Sequence, residues 1–75
     1  MENEELFKIR CYTKGELASL YTPWVNRKSA VRNLRRWIIR NKDLSVALDA
    51  LGYRPADRIL SAAQVRVIVG YLGEP

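Results

Sequence analysis

The stretch Asn26-Arg27-Lys28-Ser29-Ala30-Val31-Arg32-Asn33-Leu34-Arg35-Arg36-Trp37-Ile38-Ile39-Arg40 decides the fold. Asn26 has a short side-chain carbonyl that can accept a backbone N–H from the first turn of a helix, which makes it a good N-cap. At about 100° per residue, Ala30, Val31, Leu34, Trp37 and Ile38 then fall on one side of that helix. Lys28, Arg32, Arg35, Arg36 and Arg40 fall on the other. A helix over Arg27–Arg40 therefore carries one face for a core and a cationic face turned away from it. Ile39 breaks the pattern by sitting among the arginines.

Toward the N-terminus, Thr13 and Glu16 have the spacing of a capping box, in which each side chain takes the other's backbone N–H. A helix follows over Lys14–Tyr21, with Leu17, Ala18, Leu20 and Tyr21 as its apolar stripe. Gly15 weakens it slightly. Pro23 disfavours helical geometry at Thr22 and separates the two helices. Trp24 in this connection has two readings, a plug at the junction or an exposed contact. Upstream, Phe7, Ile9 and Cys11 alternate with Lys8, Arg10 and Tyr12, the period of a short half-buried strand. Residues 1–5 read as a flexible acidic tail ahead of a single helical domain over residues 6–75.

Toward the C-terminus, Asn41 or Asp43 caps a third helix with Leu44, Ala47, Leu48 and Leu51 inward. Gly52 is its left-handed stop. Tyr53–Asp57 form a proline-containing loop, and Arg58–Leu60 can pair with Phe7–Tyr12 as a second strand. Ser61 and Gln64 repeat the capping box before a fourth helix, with Val65, Ile68, Val69 and Leu72 inward. Val67 and Tyr71 lie off that stripe and, with Ile39, are candidates for an interaction patch. The β-branched run Val65–Val69 suits a strand by propensity, but the cap before it and Gly73 after it favour helix. The expected fold is mostly α: a small four-helix, helix-turn-helix-like domain with a short two-stranded β ribbon.

Charge and composition narrow the chemistry. The chain has 75 residues and a net charge of +5, with a pI near 9.8. Between Leu17 and Lys42 there is no Asp or Glu, while Arg27, Lys28, Arg32, Arg35, Arg36, Arg40 and Lys42 all fall there. Such a block makes a local positive field that favours phosphate-rich partners. With no His, the commonest general base is missing, and no glycine-rich phosphate loop is present. Ser29 and Ser61 have no evident activating base, and the carboxylates are scattered among caps and surface. One Cys and no His cannot build a zinc site. Cys11, at an alternating strand position, is expected to be a buried, inert thiol. The expectation is a non-enzymatic protein with no cofactor and no small-molecule substrate. The acidic N-terminus and the lack of any long apolar run predict no signal peptide and no membrane span, hence the cytoplasm.

Arginine binds phosphates or guanine bidentately, and a helix fits the DNA major groove. Lys28, Arg32, Arg35, Arg36 and Arg40 are therefore the expected DNA contacts. The same face also serves as a solvated surface that keeps a small protein soluble. An interaction or dimerisation module through Ile39, Val67 and Tyr71 is the alternative function. A chain of this length buries only about 60% of its unfolded surface, which makes a partner, including a weak homodimer, useful to it. Membrane-surface binding by the Arg27–Arg40 helix conflicts with the need for its apolar stripe in the core.

Two resemblances bear on this reading. Tyr12-Thr13-Lys14-Gly15-Glu16-Leu17-Ala18-Ser19-Leu20, followed by Val31-Arg32-Asn33-Leu34-Arg35-Arg36-Trp37, resembles the helix-turn-helix opening of excisionase-type and mercury-resistance-type regulators. It implies a support helix over Lys14–Tyr21 and a recognition helix over Arg27–Arg40. The connection departs from that pattern, being roughly a turn and a half longer than a standard short one. The whole chain also resembles a short bacterial domain-of-unknown-function family, number 4248. Phe7, Arg10, Tyr12, Glu16-Leu17-Ala18, Tyr21, Pro23, Ala30, Leu34, Trp37-Ile38, Leu48, Gly52-Tyr53, Val65, Ile68 and Leu72-Gly73-Glu74-Pro75 carry that likeness. It implies no known activity, ligand or catalytic residue.

Overall fold

A computed structural model describes residues 7–75. The acidic tail expected over residues 1–5 lies outside the described residues. The chain runs β1 (Tyr12–Thr13), α1 (Lys14–Tyr21), α2 (Arg27–Arg40), α3 (Lys42–Ala50), β2 (Ile59–Leu60) and α4 (Ala62–Leu72). This is the mostly α, four-helix domain with a two-stranded ribbon that the patterning predicts.

Side-chain caps set the helix starts. Thr13 and Glu16 close a capping box at α1, and Ser61 and Gln64 close another at α4. Asn26 accepts from the Ser29 N–H at 2.8 Å to open α2. Of the two candidates for α3, Asn41 is the cap, accepting from Leu44 N–H at 3.1 Å. Its own N–H donates to the carbonyls of Trp37 and Ile38, so one residue both ends α2 and begins α3. Gly52, at φ +80°, reverses the chain after α3, a backbone conformation that costs glycine little.

The ribbon is antiparallel, with Tyr12 opposite Leu60 and Thr13 opposite Ile59. Each strand runs straight into a cap, so the pairing ties the starts of α1 and α4 together. The α1 and α2 helices pack against each other, as do α3 and α4, while α3 also leans on α2. Leu17, Leu34, Leu44, Leu48, Leu60 and Ile68 are fully buried at the centre.

The first strand is shorter than the alternation suggests, and its inward face is the opposite one. Tyr12 is buried, whereas Ile9 and Cys11 are exposed. The Tyr12 ring stacks on Phe7 at 5.5 Å, and its hydroxyl donates to the Lys8 carbonyl at 2.9 Å. These local contacts fold residues 7–11 around the tyrosine, so Cys11 is not the buried thiol expected. Leu20 and Leu51 are also exposed rather than inward. Tyr21 takes the inner position at the end of α1, its ring edge-on to Trp37 at 5.9 Å. Leu51 is the C-cap of α3, where the helical phase that placed it inward no longer holds. Trp24 is 77% exposed, and Val25 packs at the junction instead.

Lys14 is the contact that sequence patterning misses. Its side chain is buried, and its Nζ donates to the carbonyls of Arg54 at 2.9 Å and Pro55 at 2.7 Å. The ammonium also lies 4.6 Å from the centre of the Tyr53 ring. Burial holds the Lys14 pKa below its usual value, opposed by the Asp57 carboxylate and assisted by Arg35. The lysine thereby fastens the loop between α3 and β2 onto the first turn of α1.

Candidate nucleic-acid interface

The α2 helix presents two faces fixed by its phase. Ala30, Leu34 and Ile38 are buried, while Val31 and Trp37 are half-buried against the same core. Lys28, Arg32, Arg35, Arg36 and Arg40 are all exposed. From Arg35 to Arg40 the cationic arc covers roughly 140° of the helix circumference, centred opposite the core stripe. Among the described residues, none of these five side chains donates a hydrogen bond within the protein.

Ile39 stands inside that arc and is 73% exposed. Two shallow hollows meet at it. The first, about 330 Å³, is lined by Arg32, Arg35, Arg36, Ile39 and Arg40. The second, about 220 Å³, lies toward α3 and includes Arg35, Ile39, Ser45, Asp49, Tyr53 and Pro55. Arg35 therefore borders both the open cationic face and the loop that Lys14 fastens. The Tyr53 hydroxyl is held above its ordinary pKa by burial, against which the Arg35 charge acts.

Arg40 also borders a third hollow of about 430 Å³, with Trp37, Asn41, Lys42, Asp43 and Leu72. There the C-terminal residues of α4 approach the α2–α3 elbow. The Tyr21 hydroxyl donates to the Gly73 carbonyl. Burial, aided by the Glu74 carboxylate, pushes its pKa up to about 12.

The three residues of the apolar candidate patch are not gathered in one of these hollows. Ile39 belongs to the cationic face of α2. Tyr71 is exposed on α4, and Val67 is half-buried against the core.

The first turn of α2 adds a residue that sequence reasoning did not single out. The Arg27 side chain lies across Gly15, where a Cβ would stand 2.7 Å from Arg27 Cδ. Its charge, with that of Arg10, adds to the Thr13 N–H in holding the Glu16 carboxylate below its usual pKa. Arg27 is thus turned toward α1, away from the other cations. No local pattern marks this, because it depends on how α1 crosses α2. Among the described residues no cluster of His, Cys, Asp or Glu could hold a metal ion. No described helix is long and apolar enough to cross a membrane.

The family described as Domain of unknown function (DUF4248) matches residues 8–75. The chain belongs to the DUF4248 family. No curated protein and no solved structure matches it. The match takes in every element of this DUF4248 domain, from the ribbon that joins the caps of α1 and α4 to the C-terminal residues that meet Tyr21.

Proposed function

We propose that this DUF4248 domain is a non-enzymatic, cytoplasmic DNA-binding protein of regulatory type. Its α2 helix meets the duplex through Lys28, Arg32, Arg35, Arg36 and Arg40. The observation that carries the reading is the exposed cationic arc of α2, set in a stretch without a carboxylate from Leu17 to Lys42. Guanidinium groups on one helix face can bridge phosphates or grip guanine edges, and a rigid helix fits the major groove. The burial of Ala30, Leu34 and Ile38 argues against a membrane-surface role, because the helix has no free apolar stripe to insert.

A titration with labelled duplex DNA across salt concentrations tests the proposal. If several arginines meet phosphates, log affinity falls with log salt with a slope of magnitude about 3–5. No binding at low salt would remove the DNA reading. It would favour instead an interaction or dimerisation module with no nucleic-acid role, for which the exposure of Ile39 and Tyr71 speaks.

A further inference from the structure

We infer that Ile39 is a sequence-reading contact of the α2 face, packing against the C5-methyl group of thymine in the major groove. The inference rests on the DNA reading above and adds a ligand group to it.

Ile39 has no task in the fold, being 73% exposed while its neighbour Ile38 supplies the core contact. It shares its hollow with Arg32, Arg35, Arg36 and Arg40, side chains one turn before it, two turns before it and directly after it. An apolar occupant alone would leave four guanidinium groups facing a partner that offers them nothing. The partner must therefore carry dense negative charge around a small apolar feature. Duplex DNA meets both demands, because phosphates flank the groove and the thymine methyl is the apolar group on its base edges.

The geometry also fixes which side faces the groove. Toward α3 the hollow beside Ile39 includes the Asp49 carboxylate, which would repel phosphate. On the other side the lining is arginine only, apart from Ile39 itself. Ile39 and Arg35 thus stand toward one side of the contact, with Arg32, Arg36 and Arg40 reaching across the groove and its phosphates.

The test compares an alternating A·T duplex with the same duplex carrying deoxyuridine in place of thymidine, for the parent protein and for Ile39→Ala. The replacement removes the methyl group and leaves the hydrogen-bonding edge intact. One buried methyl-sized group is worth about fourfold in affinity, so the parent should bind the thymine duplex about fourfold more tightly. Ile39→Ala, with helicity unchanged, should bind the two duplexes equally and keep the parent's salt slope.

Equal binding of both duplexes by the parent would overturn this inference and leave DNA binding standing. So would discrimination that survives in Ile39→Ala. A self-association in the absence of DNA that Ile39→Ala abolishes would overturn it too, assigning the residue to a protein contact. Failure to bind either duplex would remove the DNA reading itself, and this inference with it.

Discussion

At the scale of single residues, α2 separates side chains that hold the fold from side chains free to act. Arg32 and Arg36 are exposed one turn apart, whereas Leu34 between them is buried. The variant Arg32→Ala with Arg36→Ala should change stability by about 0.5 kcal/mol or less. Its DNA affinity should fall sharply, with the salt slope shallower by about 2. Leu34→Ala should instead cost about 2–5 kcal/mol through the cavity it leaves. Thermal melts and salt titrations of both variants check this; a double arginine variant that unfolds, or that binds like the parent, would count against the functional face. Tyr21 gives a pH-dependent prediction. Its folded pKa is about 12 against an ordinary 10.0, so above pH 10 the unfolded chain releases a proton that the folded chain retains. Stability from this group is full below pH 10 and is lost as pH rises toward 12. Tyr21→Phe, which lacks the bond to Gly73, should be less stable than the parent by about 1 kcal/mol at pH 9. Denaturant titrations from pH 9 to 12 should show that gap closing and then changing sign. A gap independent of pH would mean the phenol titrates alike in both states.

At the scale of elements, Asn41 carries more of the architecture than any other capping residue, since α2 ends and α3 begins on it. Its side chain accepts from Leu44, and the Ser45 hydroxyl donates to the Ile38 carbonyl at 2.6 Å just beyond. Asn41→Ala should cost about 1 kcal/mol, and Asn41→Asp should recover most of it because a carboxylate also caps. If the alanine variant melts like the parent, the elbow is held by packing alone. The bounds of α1 and α2 were legible in sequence because caps and apolar periodicity act within a turn or two. The same locality explains the misses. Alternation over Phe7–Tyr12 offers two inward faces, and the choice falls to Tyr12 through its contacts with Phe7 and Lys8. Lys14 looks like an ordinary first-turn lysine until the Arg54 and Pro55 carbonyls, forty residues away, arrive at its ammonium. The cationic face was legible, being a matter of helix phase. The turning of Arg27 toward Gly15 was not, because it is set by how two helices cross.

At the scale of the whole molecule, a chain of 75 residues buries a modest share of its surface, so a second copy can add stability by mass action. The exposed members of the candidate apolar patch stand on two different helices. Ile39 falls to the cationic side of α2, where two copies would bring arginines against arginines. Tyr71 is 48% exposed on α4, whose only charged side chain at neutral pH is Arg66. Any self-association is therefore expected through α4, leaving the α2 face of each protomer open to a duplex. Sedimentation should show an average mass that rises with concentration, and Tyr71→Glu should abolish the rise while far-ultraviolet dichroism stays unchanged, because a charge placed in an apolar contact must be desolvated. A dimer of this kind would present two α2 helices to one duplex, so affinity should depend on the spacing of two half-sites along the DNA. Tyr71→Glu should then lose the spacing dependence and keep the salt dependence of each α2 face. A strict monomer at high concentration would reject the α4 interface and limit DNA recognition to a single helix.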